Sequence, residues 1–339
     1  MTSAGPAWHS LGQSDSWAGV RAVVLGFEDA GFAAADNLLH LGADVLVLAS
    51  PTPDAAALAD QREKAELLEV LGARVRLDAE PVTQLPEALD LVVVPAGTAH
   101  DHPLVAEAIA RGLTVWSDAE LAWRLRPRPV AAPWLVVAGP DPALVGACTE
   151  RLGAILAADG VVATVAGTAG RPVVEVMMDP APCDVLVLGI DAVQLTHLPT
   201  MAADSAALLG VRDADPAFAA VAGRVYADVR VACVYLLADP GTEELVAEAE
   251  VVEGARAIGV TLGTPAPSMV GVVEEFLVDR AFIAERASSA AEIGSLEDVG
   301  SDDPQVVTAA LTAAALARAH GVSQHAVRAG LRRVAGLPD

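Results

Sequence analysis

Apolar residues in this chain come in short blocks, separated by stretches with helical spacing. "VRAVVLG" at 20–26 and "DVLVLA" at 44–49 are continuous apolar runs of strand length, while "AGFAAADNLLHLG" between them carries the 3.6-residue period of a helix. A charged helix follows over Ala55–Leu71, then strands "ARVRLD" (73–78) and "DLVVVPAG" (90–97). A helix over Pro103–Arg111, the strand "LTVW" and the helix "DAELAWRLR" complete the series. Strands alternating with helices predict βαβ units on a parallel sheet. The Pro-rich stretch "RPRPVAAP" at 126–133 breaks the pattern as a linker would.

A second α/β series starts at Trp134, with strands predicted near 134–138, 161–165, 184–188, 205–209 and 231–237. After Glu253 the pattern changes, and "ARAIGVTLG" and "GVVEEFLVDRAFI" read as short antiparallel strands at the sheet edge. Two Ala-rich helices close the chain, with start signals at Asp303-Pro304 and Ser323. The predicted organisation is an N-terminal tail (1–19), a first α/β domain (20–126), a linker (127–133) and a second α/β domain (134–339).

Composition narrows the function. The chain is 53% hydrophobic, but no run approaches the roughly 18 apolar residues of a spanning helix, and the N-terminus lacks a secretory pattern. A cytoplasmic protein without membrane insertion is the expectation. A net charge of −24 and 4% aromatics argue against nucleic acid as a partner. Cys148, Cys183 and Cys233 are too scattered for a disulfide framework or a zinc site.

Two strand–turn–helix units have the layout of phosphate-binding loops. One is Gly26-Phe27-Glu28-Asp29-Ala30-Gly31; its outer glycines suit a tight turn and close helix packing, while Glu28 stands where a pyrophosphate would approach. The other is "LVVAGPDPALVGACTE" (135–150). There Gly139, Pro140, Asp141 and Pro142 precede Ala143 and Leu144, with no lysine or hydroxyl, and each proline removes a backbone donor.

The order of segments, with "HPLVAEAIARGLTVWSDAELAWRLR", "VACVYLLADP", "VVEGARAIGVTLGTPAPSMVGVV" and "ALARAHGVSQHAVRAGLRRV", resembles the MurD-type Mur ligases, actinobacterial branch, over about Val20–Pro338. The resemblance implies a Rossmann-like UDP-binding domain and a central P-loop-type ATPase domain. It also implies a third domain, before which this sequence stops at "GLPD". Such ligases join D-glutamate to UDP-N-acetylmuramoyl-L-alanine using ATP and Mg²⁺.

Carried over residue by residue, the resemblance puts the P-loop lysine at Ala143 and its hydroxyl at Leu144. A Mg²⁺-binding glutamate falls at Gly189, with Asp191 the nearby acid, and a carbamylated lysine falls at Ala222. The adenine-contacting asparagine falls at Leu236, and a His-Asn pair at Gln305-Val306. "GVRDADP" (210–216) replaces a longer, histidine-bearing segment, and Ala49 replaces the acid ending the second strand. No catalytic residue, metal or cofactor is therefore expected. Gly26, Phe27, Gly31 and Thr98 remain as substrate-binding candidates in the first domain.

Other polar residues have plain readings. His100 and His102 lack a third metal ligand and read as a solvated loop; His197, His320 and His325 read as surface. Asp118 and Glu120 read as first-turn charge and capping, Gly167-Thr168-Ala169-Gly170 as retained turn geometry, and Arg171 as surface rather than anion-binding. The expectation is a catalytically degenerate homologue with an interaction or regulatory role in peptidoglycan precursor synthesis or cell division. Its expected partner is a protein, such as an authentic Mur ligase or a division protein. The alternatives are a divergent ATP- and Mg²⁺-dependent ligase, or a non-catalytic module binding UDP-N-acetylmuramoyl-L-alanine.

Overall fold

The computed structural model describes residues 7–50, 54–77, 82–127, 131–168, 170–179, 181 and 183–338. The chain divides into two compact units. The first contains β1 (Arg21–Leu25), α1 (Asp29–His40), β2 (Asp44–Ala49), α2 (Ala55–Val70), β3 (Arg74–Leu77), β4 (Leu91–Val94), α3 (Pro103–Ala110), β5 (Thr114–Ser117) and α4 (Asp118–Leu125). Its sheet has the order β3-β2-β1-β4-β5, all parallel. All four residues of β4, and all of β1 but its first, are buried, as central strands covered on both faces require. Edge strand β3 keeps Arg74 and Arg76 toward solvent. Asp78 and residues 128–130 of the predicted linker lie outside the described residues.

The second unit contains β6 (Trp134–Ala138), α5 (Pro142–Ala158), β7 (Ala163–Gly167), β8 (Val185–Ile190), β9 (Ser205–Leu208), α8 (Pro216–Val221), β10 (Ala232–Leu236), α9 (Pro240–Glu248), β11 (Arg256–Val260), β12 (Met269–Val273), β13 (Phe276–Asp279), β14 (Ala291–Ser295), α10 (Leu296–Val299), α11 (Pro304–Ala319) and α12 (Gln324–Val334). Its sheet has the order β14-β13-β12-β11-β10-β9-β6-β8-β7. One sequence expectation is corrected here. "ARAIGVTLG" supplies β11, which pairs parallel to β10, and β12 pairs parallel to β11; only β13 and β14 are antiparallel. For β11 the reason is α9, capped by Asp239 and opened by Pro240, which makes the crossover from β10 that a parallel neighbour needs.

Two later segments cluster with the first unit, Arg171–Pro180 and Val193–Thr200. They carry α6 (Val173–Met178), whose buried valines and Met177 pack on α4 and α1, and most of α7 (Ala192–Thr196). A buried polar clasp fixes the second segment. Gln194 donates to Asp118 at 2.9 Å, and the Thr200 hydroxyl and Arg124 Nε each donate to Glu120 Oε1 at 2.6 Å. Asp118 and Glu120 are the first-turn acids of α4, as expected, but they are buried anchors and not the cap; Ser117 is the cap, accepting from the Glu120 N–H at 3.1 Å.

In the second unit α11 and α12 both lie on α5, and ten residues of the small-residue helix α11 are buried. Asp298 closes this layer. Its fully buried carboxylate meets Arg332 at 2.7 Å and Arg328 at 3.1 Å, and accepts from the Ser295 hydroxyl at 2.9 Å. Burial alone would push the Asp298 carboxyl up. The Arg332 and Ser295 hydrogen bonds and the Arg328 charge outweigh it, so the net shift is downward. A carboxyl depressed on folding stabilises fully above its unfolded pKa, and the contribution fades as pH falls through the folded value. Asp298→Asn is therefore expected to cost about 2 kcal/mol at pH 7, with the deficit shrinking below about pH 4. Urea midpoints at pH 7, 4 and 3 check this; a deficit independent of pH would refute the ion-pair assignment.

Candidate functional site

In the first unit the chain leaves β1 and β4 in opposite directions, which opens a crevice at their C-terminal ends. A cavity of about 400 Å³ lies there, with Leu25, Gly26, Leu48, Glu28, Thr98 and His102 among its lining. Gly26 sits at φ +95°, a conformation that favours glycine. A Cβ on Gly31 would stand 2.5 Å from the Gly26 carbonyl oxygen, so this glycine lets α1 approach the turn. Phe27 is buried and meets Phe32 edge-on at 6.3 Å. Of the four candidates, Gly26 and Thr98 line the cavity, while Gly31 and Phe27 support the turn from behind.

Electrostatics around the cavity differ from the sequence expectation at His102 and agree with it at Glu28. Asp29 is paired with Lys64 at 2.8 Å, so the acid that bears on an entering ligand is Glu28, exposed on the cavity wall and making no side-chain cap bond. His102 is half-buried in the cavity wall rather than solvated. Its Nδ1 accepts from the Leu104 N–H at 3.3 Å, which assigns the ring proton to Nε2. Burial lowers its pKa more than Asp101 raises it, favouring the neutral ring. The Thr98 hydroxyl donates to the Pro95 carbonyl at 2.8 Å and keeps its lone pairs for a ligand. No lysine or arginine is among the cavity's described lining residues.

In the second unit, Gly139 follows β6 and is buried; a Cβ there would come within 3.0 Å of Leu209 and 3.1 Å of Val145. Pro140, Asp141, Pro142 and Ala143 are exposed. Asp141 caps α5 by accepting from the Ala143 N–H at 2.9 Å, and Pro142 at the first helical position has no N–H to give. Leu144 turns against the core. At this helix end the Ala143 N–H is taken by the chain's own Asp141 carboxylate.

Gly189, on β8, is walled in. A Cβ would lie 2.5 Å from Thr168 Oγ1 and 3.0 Å from Val145 Cγ1. Gly167, at φ +86°, has room for no side chain, since its Cβ would fall 2.0 Å from the Gly189 oxygen. Ala169 of the same turn lies outside the described residues. Ala222 is fully buried, Leu236 packs against the core, and Gln305 is exposed in the first turn of α11 beneath the Asp303 cap. Arg171 is held by Glu175 at 2.7 Å and Asp179 at 3.0 Å. Among the described residues no group of three or more His, Cys, Asp or Glu side chains is placed to hold a metal, and no helix is long and apolar enough to cross a membrane.

A five-stranded parallel sheet with a glycine turn at its switch point, and a nine-stranded sheet with a strand–loop–helix after its interior strand β6, define a protein of two α/β units. No family model matches the chain. The UDP-N-acetylmuramoylalanine–D-glutamate ligase of Streptomyces avermitilis is 42% identical over 328 residues, covering 94% of this chain and 67% of that protein. Its Streptomyces coelicolor counterpart is 41% identical, over 95% of this chain and 68% of that protein. This chain belongs to the UDP-N-acetylmuramoylalanine–D-glutamate ligase family, of whose members it spans about two thirds of the length. Among solved structures, a Neisseria meningitides UDP-N-acetylmuramate:L-alanyl-gamma-D-glutamyl-meso-diaminopimelate ligase shares the fold, with TM-score 0.57 at 15% identity over 92% of this chain and 97% of that one.

Proposed function

We propose that this chain is a non-ligating member of the family, acting through interaction or regulation around peptidoglycan precursor synthesis or division. The observation that carries the reading is the second-unit loop. A phosphate cradle needs open backbone donors and a cation at a helix N-terminus. Here the helix end is occupied by the Asp141 carboxylate and opened by Pro142. A Mg²⁺ ion needs fixed oxygen ligands, and the position assigned to the family's glutamate is a glycine closed in by Thr168 and Val145. The residues present do not fit ATP and Mg²⁺.

What survives is the first-unit cavity, where apolar walls, the Thr98 acceptor and the His102 Nε2–H could hold and orient a small polar molecule. UDP-N-acetylmuramoyl-L-alanine is the candidate the family suggests. Glu28 opposes its diphosphate at that turn.

A second reading, ATP-dependent ligation of D-glutamate, is favoured by the names of the relatives at 41–42% identity. Phosphate release with ATP, Mg²⁺, D-glutamate and UDP-N-acetylmuramoyl-L-alanine separates the two. No release above background is expected; substrate-dependent release would establish the ligase. Calorimetry with the sugar nucleotide alone then distinguishes a precursor-sensing protein from one that works only through protein contacts.

A further inference from the structure

The cavity at the C-terminal ends of β1 and β4 has the parts of a nucleoside site without those of a phosphate site. Leu25, Leu48 and Val82 give it apolar walls against which a flat base can lie. Three polar groups stand among them. The Thr98 hydroxyl is fixed on the Pro95 carbonyl at 2.8 Å, and the His102 ring is fixed by the Leu104 N–H on its Nδ1 at 3.3 Å. The third is Ser50, the residue directly after β2. The end of the second strand is where parallel sheets of this type hold a ribose, and a hydroxyl can do so without adding charge.

The phosphate side is different. A helix N-terminus beside a glycine turn ordinarily attracts an anion, but the N-cap residue of α1 is Glu28, on the cavity wall, exposed and making no side-chain cap bond. Its charge therefore bears on whatever enters beside Gly26. No lysine or arginine is among the cavity's described lining residues to offset it. Lys64, which reaches Asp29 at 2.8 Å, also meets Asp60 at 2.8 Å, so its charge is spent on two carboxylates. Arg21 and Arg74 open β1 and β3 and lie at the end of the parallel sheet away from the cavity.

We infer that Glu28 is a charge filter: the cavity takes an uncharged nucleoside and turns away the same nucleoside carrying a 5′-diphosphate. The inference rests on the reading of this cavity as the chain's surviving small-molecule site, and narrows its ligand by charge. Base and sugar keep the apolar walls and the hydroxyl partners, whereas a diphosphate at the Gly26 turn would face the Glu28 carboxylate. Two unit charges several Å apart near a protein surface change affinity by about tenfold, and salt reduces the effect.

Calorimetric titration of the whole chain with uridine, guanosine and their 5′-diphosphates tests the filter, at low ionic strength and about pH 8. At that pH the His102 ring, whose pKa burial lowers, carries no charge. Saturable binding of at least one nucleoside is expected, with its diphosphate at least about tenfold weaker. Glu28→Gln is expected to tighten the diphosphate about tenfold and to leave the nucleoside within about twofold. Because Glu28 is exposed and makes no cap bond, the melting temperature without ligand is expected to stay unchanged. A diphosphate that binds the unaltered protein as tightly as its nucleoside, or a gap that persists in Glu28→Gln, would overturn the filter alone. Silence from all four ligands would overturn the reading of the cavity with it. Neither result touches the non-ligating reading, which phosphate release decides.

Discussion

Gly330→Ala is expected to destabilise the protein by about 3 kcal/mol, although alanine is the better helix former by about 1 kcal/mol. Gly330 lies within α12, where its backbone meets α5 directly. A Cβ would stand 2.4 Å from Ile155 Cα and 2.6 Å from Ile155 N. Those are backbone atoms of the neighbouring helix, so no rotamer change relieves the clash; the helices must separate. Separation would loosen the packing of Ile155, Val327 and Leu331 in the layer that carries the sheet. Urea denaturation measures the effect, and a neutral or stabilised variant would show that the helices have slack.

The second large effect is expected at Gly189→Glu, the change that would install the carboxylate suggested by the family. It is expected to cost about 3 kcal/mol and to yield no ATP hydrolysis. The added Cβ meets Thr168 Oγ1 at 2.5 Å and Val145 Cγ1 at 3.0 Å, both on short branched side chains with little freedom to move. The carboxylate would then be forced among Val145, Thr149 and Thr168 without a cation. Ala143→Lys is the informative comparison. That position is exposed, and its substitution is expected to change stability by less than about 0.5 kcal/mol while leaving ATP turnover absent. If Gly189→Glu were tolerated and the double variant released phosphate, the loop would be a repairable active site and the non-ligating reading would fall.

The sequence by itself determined the elements and most of their order. Strands such as Leu91–Val94 and Trp134–Ala138 are continuous apolar runs because both faces of a central parallel strand are covered, and that is a local signal. Asp303-Pro304 and Ser323 marked helix starts because capping is satisfied within a few residues. The sequence also fixed the chemistry absent from the loop after β6, since Ala143 cannot supply a charge in any fold.

The tertiary structure alone decided what depends on residues far apart in the chain. Gln194 finds Asp118, and Thr200 finds Glu120, across 76 and 80 positions, so no local period could show that 193–200 joins the first unit. The parallel pairing of β11 hangs on α9, whose Asp239-Pro240 start is a local signal but whose role as a crossover is set by the sheet. His102 reads as a loop residue until α3 and β4 bring it to a cavity, and Gly189 reads as a missing ligand until Thr168 and Val145 show its space filled. Periodicity reports which face of an element is buried; which side chains meet across elements is set by packing, and the sites are made there.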